Sequence, residues 1–461
     1  MARRDIIVDQ EIQGILDEIR ELYKQNARIA LYKLINNTHP AVMSDVFRHL
    51  TGTERKDIFL YIQRMKGLKY FLPELDDNII EELFKSTSPR ETAKLLHDMP
   101  AEDIVNILGL LPESLSRDIQ NYLEKDEREE VREILQYPEE SAGRIMSTQF
   151  IAFEENLIIK EVIRQFQEID EDAEAPYYIY IVNLSHQMVG VLSLRQLLLY
   201  PQKTVLSSVM RRDFIAVSPE TDQEEVAGIV SQYNYLAVPV VDDQGELVGV
   251  VTVEDVLDII REEATEDILK MAGAGDDREI LHRSVFENAK SRFPWLLASW
   301  LGGIVVLTVI GSFHTLIEKT VVLAGFIPII LGMGGNVGTQ TTTIIVRGIA
   351  TDRINLKKVS KVIFKEVLVG MLLGIIYGVF LGILAFFKYS AFTSPIRLSL
   401  IVGLSIFCSM SIASTIGSFL PIFLYKLNVD PAIATGPFVT TSTDMMGVLS
   451  YFTIASLLLH I

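Results

Sequence analysis

A single carboxylate lies inside an apolar stretch that is long enough to cross a membrane. From Asp430 to the last residue there is no Lys, Arg or Glu, and Asp444 is the only other charged side chain. About 20 apolar residues suffice for a helix to span a bilayer. A lone carboxylate at that depth costs about 2.5–3.5 kcal/mol on the insertion scale, so it is expected to face a bundle interior, a partner or a water-filled path. Asp444 is therefore the leading candidate for a functional residue.

Small and hydroxylated residues flank Asp444. On a helix of 3.6 residues per turn, Pro437, Thr440 and Thr441 fall near its face, and Gly436 lies one turn further back. Such neighbours leave room for water or for a hydrated ion, which makes Thr440 a second candidate for an ion-lining residue. The alternative is structural: Asp444 would then cap or cross-link helices.

Charge is distributed unevenly along the 461 residues. Residues 291–461 carry 11 Lys/Arg and 5 Asp/Glu, a net charge of +6, whereas residues 1–290 carry 31 and 55, a net charge of −24. The first part is thus predicted to be a strongly acidic soluble region and the second a membrane region. An acidic surface concentrates cations and repels nucleic acid, so we expect no DNA or RNA partner. The single cysteine, Cys408, excludes an intrachain disulfide and a zinc cluster.

The membrane region is predicted to contain five spans. The apolar segments are residues 293–313, 321–345, 362–387, 398–425 and 431–460. The N-terminal sequence lacks the apolar core of a signal peptide, so the soluble region is expected in the cytosol. The second connection then lies on the cytosolic side, and its basic residues between Arg347 and Lys365 agree with the positive-inside rule. Five crossings place the C-terminus on the extracytoplasmic side.

The second span carries the motif GGNVGTQ at residues 334–340. Its glycines allow close approach between helices, and the amides of Asn336 and Gln340 can form hydrogen bonds within the bilayer. Helix packing and pore lining are both open interpretations of this motif.

Residues 1–137 are predicted to form short amphipathic helices separated by prolines. Repeated short helices of this kind are typical of a superhelical or HEAT-like array, which serves as a binding surface or a rigid arm. The acids Asp98 and Glu102 cluster near one helix start. They are candidate metal ligands, although the helix dipole also favours acids at that position.

Residues 138–264 contain an internal repeat with a period of about 60 residues. The sequence MSTQFIA from Met146 aligns with MRRDFIA from Met210, and each copy alternates a helix with short β-branched strands. The repeat resembles a tandem pair of CBS domains, a regulatory module that often binds adenine nucleotides. The resemblance implies that Thr252 and Asp255 hold a nucleotide ribose.

A helix with a stripe of acids follows the repeat, and we predict that residues 265–291 connect it to the membrane region. Asp255, Asp258, Glu262 and Glu266 follow one another at spacings of three and four. Like charges at such spacings repel each other by about 0.2–0.5 kcal/mol per pair. Cations can relieve this repulsion, so the stripe is a candidate cation sensor. The alternative is an acidic face that only keeps a soluble domain solvated.

The order of these parts, with the motifs GGNVGTQ and DPAIATGPFVTTSTD, resembles the MgtE family of bacterial magnesium transporters and channels over essentially the whole chain. The resemblance implies a homodimer with a pore between the two membrane domains and a cytosolic magnesium sensor. The matching positions are Asp444 in the pore, Asp430 at its cytosolic mouth, and the sensor acids Asp222, Glu224, Asp255, Asp258, Glu263 and Glu266.

We therefore predict a multidomain membrane protein with an all-α superhelical N domain, an α/β CBS pair, a connecting helix and a five-helix α transmembrane domain. Its predicted function is Mg²⁺-selective transport across the cell membrane, regulated by cytosolic Mg²⁺ and by ATP. A proton-coupled divalent-cation carrier with Asp444 as the relay and a CBS-domain sensor that transports nothing are the alternatives. The sequence contains no phosphate loop or nucleophile–base motif, so we expect no enzyme.

Overall fold

The computed structural model describes residues 2–168, 178–274, 285–351, 353–354, 359–390, 394–427 and 429–459. The chain divides into two compact units, Met1–Ile260 and Arg261–Ile461. The predicted domain boundaries at 137, 264 and 291 remain predictions.

The first unit begins with ten helices, which confirms the predicted helical N domain. They are α1 (Ala2–Lys24), α2 (Arg28–Asn37), α3 (Pro40–Arg48), α4 (Gly52–Ile62), α5 (Leu68–Phe71), α6 (Asp77–Ser86), α7 (Pro89–Leu95), α8 (Ala101–Gly109), α9 (Glu113–Tyr122) and α10 (Lys125–Ile134). Local sequence sets where they begin. The Ser88 hydroxyl accepts a hydrogen bond from the Glu91 amide at 3.3 Å, and Pro89 is the first residue of α7. The helices enclose one hydrophobic core that includes Phe47 and Phe71.

The two predicted repeats follow as two small α/β layers. Their elements are α11 (Ala142–Ile145), β1 (Ala152–Glu154), α12 (Ile159–Phe166), β2 (Tyr178–Val182), β3 (Met188–Ser193), α13 (Leu194–Leu199), α14 (Gln223–Tyr233), β4 (Ala237–Val241) and β5 (Leu247–Thr252). Strand β1 pairs with β2 in parallel, β2 pairs with β3 antiparallel, and β4 pairs with β5 antiparallel. Each hairpin is therefore one copy of the repeat, as the sequence predicts.

The repeats pack against each other reciprocally through a methionine and a glycine. A Cβ added to Gly190 of the first copy would lie 2.7 Å from the Met210 sulfur. A Cβ added to Gly249 of the second copy would lie 2.5 Å from the Met146 sulfur. Both separations are far below van der Waals contact, so the pseudo-symmetric arrangement needs glycine at both strand positions.

A long helix, α15 (Val253–Met271), begins directly after β5. The membrane region then comprises α16 (Val285–Ser312), α17 (His314–Lys319), α18 (Ile327–Ala350), α19 (Val359–Lys388), α20 (Pro395–Lys426) and α21 (Pro437–Leu459). Within the described ranges, five helices are long and apolar enough to cross a membrane, as predicted: α16, α18 with the 3-10 turns from Val321, α19, α20 and α21.

The last predicted span begins later than its apolar pattern suggests. Residues Pro431–Thr435 form a separate 3-10 helix, and α21 starts only at Pro437. Gly436 interrupts the helical path with a ψ of −129°, and a proline cannot donate the amide that would continue the preceding helix. Hydropathy does not register such a break.

The glycines of the GGNVGTQ motif divide by helix face. Gly334 and Gly338 are buried, and a Cβ added to Gly338 would lie 3.0 Å from Thr443 of α21. Gly417 of α20 approaches from another side, since its added Cβ would lie 2.5 Å from the Gly338 carbonyl oxygen. Asn336 and Gln340 are exposed in the single chain. One motif thus provides both close helix packing and an uncovered polar face.

Candidate functional site

Asp444 lies half-buried at the start of the third turn of α21, beside the backbone of α18. A Cβ added to Gly335 would lie 4.0 Å from Asp444 Oδ1, so a larger residue at position 335 would fill the space next to the carboxylate. Thr443, its neighbour on the buried side, donates from its hydroxyl to the Thr440 carbonyl oxygen at 2.9 Å. Helix packing thus leaves one side of the Asp444 carboxylate open.

The open side of Asp444 continues as a polar face. Thr440, one turn earlier on α21, is exposed, and its hydroxyl donates to the Gly436 carbonyl oxygen at 3.2 Å. Asn336 and Gln340 are likewise exposed on α18, which packs against α21. Asp444 and Thr440 thus share one face of α21, and the neighbouring helix exposes two amides. Carboxylate, hydroxyl and amide oxygens are ligands that hard cations such as Mg²⁺ prefer.

Asp430 occupies the start of the 3-10 helix that precedes α21. Its Oδ1 accepts a hydrogen bond from the Ala432 amide at 2.7 Å, and its Oδ2 accepts one from Lys270 Nζ at 2.8 Å. The same ammonium pairs with Glu266, one turn earlier on α15. The structure thus brings together two predicted metal ligands, Asp430 and Glu266, on one lysine.

Two further charged groups lie close to this bridge. Burial raises the pKa of Asp267, and the charge of Asp430 raises it further, while Lys270 and Arg347 lower it. Burial lowers the pKa of Lys270, but hydrogen bonds to Asp430 and Glu266 outweigh that effect and hold the pKa above its ordinary value. Lys270 is therefore a permanent cation at neutral pH.

The end of α15 is fixed by a glycine cap. Gly273 has a φ of +66°, its amide donates to the Lys270 carbonyl oxygen at 2.9 Å, and the Ala274 amide donates to the Leu269 carbonyl oxygen at 2.9 Å. This is the Schellman pattern that closes helix C-termini. A Cβ added to Gly273 would lie 3.9 Å from Trp295 of α16, and one added to Gly436 would lie 3.8 Å from the same indole. Trp295 thus lies between the end of α15 and the start of α21.

Thr252 and Asp255 lie together at the start of α15. The Thr252 hydroxyl donates to Asp255 Oδ2 at 2.6 Å, and the Thr252 amide donates to the same oxygen at 3.2 Å. Burial raises the pKa of Asp255, although both hydrogen bonds from Thr252 lower it. This is the arrangement of a helix N-cap in which the Asp255 carboxylate reaches back to Thr252.

A cavity of about 710 Å³ adjoins this pair. Residues of the N domain and of both repeats line it, including Tyr178 and Tyr180. Among the described residues, the cavity lining contains six carboxylates and one lysine, Lys69, so its charge is predominantly negative. The acids are Glu74, Glu102, Asp103, Glu254, Asp255 and Asp258. The size suits a nucleotide, and the charge suits a cation.

Glu102 is the most buried of these acids, with 7% of its surface exposed. Its Oε2 has no hydrogen-bond partner within the part of the chain that the structure describes. Burial raises the pKa of Glu102 to about 8, against the opposing hydrogen bonds from its own backbone and from Ser147. A carboxyl in this setting can hold a proton or a metal ion.

The remaining predicted ligands are dispersed. Asp222 caps α14 by accepting from the Glu224 amide at 2.8 Å, Asp98 has a left-handed φ of 65° next to His97, and Glu263 lies on α15. Among the described residues, no three His, Cys, Asp or Glu side chains form a group that could hold a metal ion. The assignment of these acids as metal ligands therefore stays a prediction.

Sequence reasoning missed Lys270 and Trp295. The signal for Lys270 was present, because a lysine four residues after Glu266 forms a favourable helix pair. Nothing in the sequence indicated that Asp430, 160 residues away, would share its ammonium.

Protein-family models match three separate parts of the chain. The family described as the MgtE divalent cation transporter matches residues 327–454, the MgtE intracellular N domain matches 38–140, and the CBS domain matches 206–262. The crystal structure of the cytosolic domain of the Mg²⁺ channel MgtE in complex with ATP is similar, with 29% identity, 53% of this chain and 99% of that chain covered, and a TM-score of 0.49.

Three full-length relatives are each named magnesium transporter MgtE. The protein from Thermus thermophilus is 32% identical, with 96% of this chain and 98% of the relative covered. The protein from Bacillus subtilis is 30% identical, with 93% of each chain covered. The Enterococcus faecalis protein is 30% identical, with 91% of this chain and 97% of the relative covered. On this extent of similarity, together with the five apolar helices and the GGNVGTQ packing, the chain belongs to the MgtE family of magnesium transporters.

Proposed function

We propose that this protein conducts Mg²⁺ across the cell membrane, as a homodimer whose pore is lined by the polar face around Asp444. The observation that carries the proposal is the position of Asp444, half-buried in a membrane helix with one side open beside Gly335. An intramembrane carboxylate is costly and is a functional candidate by default. Thr440 lies one turn before Asp444 on α21, and Asn336 and Gln340 are exposed on α18, which packs against α21.

The chemistry of Mg²⁺ supports a pairing of two such faces. The ion releases water reluctantly and is usually bound by one or two carboxylates while it keeps several waters. Two chains related by a two-fold axis would present two Asp444 side chains to one hydrated ion. Conduction also requires that binding be weak enough for the ion to leave, and a lone carboxylate per chain meets that condition better than a closed cage.

We further propose that cytosolic Mg²⁺ closes the pore through the acidic first unit and α15. The net charge of −24 on residues 1–290 supports this mechanism, because compacting an acidic region is opposed by repulsion that bound cations relieve. Asp255, Asp258, Glu263 and Glu266 lie along α15, which ends at the Asp430 bridge.

ATP is the proposed ligand of the cavity next to Thr252 and Asp255. Asp255 is the proposed acceptor for the ribose hydroxyls. The six bordering carboxylates outnumber Lys69, the lysine of the lining, and make the site unfavourable for free polyphosphate. We therefore expect the nucleotide to bind as its Mg²⁺ complex.

Flux through purified protein in liposomes that contain a magnesium-sensitive dye tests the transport proposal. Asp444→Asn and Asp444→Ala should abolish or greatly reduce Mg²⁺ entry while leaving insertion and folding intact. Glu318→Gln is the control, because Glu318 is an exposed carboxylate of the short helix α17, which is not one of the five membrane helices. It should retain flux.

The same vesicles separate the alternatives. Flux that follows the voltage and the Mg²⁺ gradient, with no dependence on a pH gradient, supports a channel. Flux that requires a pH gradient supports a proton-coupled carrier with Asp444 as the relay. Wild-type vesicles with no Mg²⁺ entry at all, or normal entry through Asp444→Ala, would refute the assignment.

A further inference from the structure

The ammonium of Lys270 connects two segments that are distant in sequence. Its Nζ donates to Asp430 Oδ2 at 2.8 Å and also pairs with Glu266. Asp430 belongs to the 3-10 turn that leads into α21, whereas Glu266 and Lys270 belong to the last turns of α15. The lysine therefore cross-links the end of α15 to the segment that precedes Asp444.

The environment makes this ion pair stronger than an ordinary surface pair. The side chains of Lys270, Glu266 and Asp430 are 19%, 13% and 33% exposed, so solvent screens them only partly. Glu266 lies four residues before Lys270, which is the favourable order on a helix and holds the ammonium in place before Asp430 is engaged. Asp430 is held in turn by the Ala432 amide. Little side-chain freedom is left to lose when the bridge forms.

We propose that Lys270 is a built-in counter-cation that docks the end of α15 on the segment before α21 and competes with Mg²⁺ for the carboxylates of Glu266 and Asp430. The inference rests on the proposed function, in which α15 transmits the state of the first unit to the pore.

The competition follows from the chemistry of the two cations. An ammonium on a side chain is present at fixed local concentration, so the docking that it provides does not depend on Mg²⁺. Mg²⁺ needs carboxylate oxygens to bind at the same place, and the carboxylates of Glu266 and Asp430 are already paired with Lys270. Lys270 thus stabilises docking at low Mg²⁺ and raises the Mg²⁺ concentration needed to occupy this locus.

Amide hydrogen exchange of residues 261–271 in the full-length protein tests the inference. Without divalent cation, Lys270→Met should exchange about fivefold faster than wild type, as expected for the loss of a partly buried ion pair. Added Mg²⁺ should restore protection in Lys270→Met, and at a lower concentration than any change seen in wild type, because the carboxylates are then released for the metal. Lys426→Met removes an exposed lysine at the end of α20, four residues before Asp430 in sequence, and should leave exchange unchanged.

Asp430→Asn gives an independent test from the other side of the bridge. Asparagine keeps the cap on Ala432 but removes the charge, so exchange without divalent cation should rise as in Lys270→Met. The exchange rate in the double variant, Lys270→Met with Asp430→Asn, should be no higher than in either single variant, since both changes break the same interaction. The inference is overturned if Lys270→Met exchanges like Lys426→Met, if the two effects add, or if Mg²⁺ fails to restore protection. Hydrogen exchange needs no transport, so a failure of this inference is distinguishable from a failure of the transport proposal.

Discussion

Glu102 should make the stability of the N domain fall as pH rises, and Glu102→Gln should remove that dependence. The side chain is 7% exposed, and its Oε2 has no partner among the described residues. Burial raises its pKa to about 8 from the ordinary value of 4.5. The folded state then binds the proton more tightly than the unfolded state, so its contribution is fully present below pH 4.5 and is lost as pH rises towards 8.

The magnitude follows from the separation of the two pKa values. One pKa unit corresponds to about 1.4 kcal/mol, so raising the pH from the unfolded value to 7 costs the folded state about 3 kcal/mol. That is a sizeable part of a typical domain stability. A glutamine mimics the protonated carboxyl at every pH. The variant should therefore match wild type at pH 4.5 and exceed its stability at pH 7 to 8.

The opening free energy of α8, from hydrogen exchange corrected for the intrinsic rate, measures this difference in the full-length protein. Taking the difference between wild type and variant cancels the titration of other groups. Glu113→Gln, which changes an exposed acid in the first turn of α9, is the control and should show no such trend. A wild-type minus variant difference that stays constant from pH 5 to 8 would show that Glu102 is not held protonated. Mg²⁺ should flatten the dependence if it binds through this carboxylate.

Two further outcomes are expected. Deleting residues 1–260 removes the first unit but keeps the Lys270 bridge. It should leave a pore that conducts at millimolar cytosolic Mg²⁺, where we expect the full-length protein to be closed. Identical responses of the two proteins in patch recordings would refute the sensor proposal. Asp255→Ala should abolish the calorimetric signal of Mg²⁺-ATP binding, and Thr252→Val should weaken it, because the hydroxyl that orients Asp255 at 2.6 Å is lost. Full affinity in Asp255→Ala would place the ribose contact elsewhere.

Much of the architecture follows from the sequence because it depends on local or periodic features. Apolar length predicts the five membrane helices, and cap residues such as Ser88 predict helix starts. The repeated sequences at Met146 and Met210 predict two equivalent hairpins. Asp444 stands out because a charge inside an apolar run has a solvation cost that does not depend on the details of packing.

Only the tertiary structure decided which distant groups share an environment. The high pKa of Glu102 arises from burial among residues of other elements, and local sequence contains only an acid in the first turn of a helix. The same holds for the division of GGNVGTQ into a packed and an exposed face, which depends on the approach of α20 and α21.

The bridge from Lys270 to Asp430 illustrates the limit most directly. Sequence determines that Glu266 and Lys270 pair, because helix geometry fixes neighbours four residues apart. It does not determine that a carboxylate 160 residues later completes the bridge, because that contact depends on how α15, α16 and the turn before α21 pack together. Long-range electrostatic contacts are set by packing, whereas hydrophobic period and chain-local hydrogen bonds are set by the order of residues.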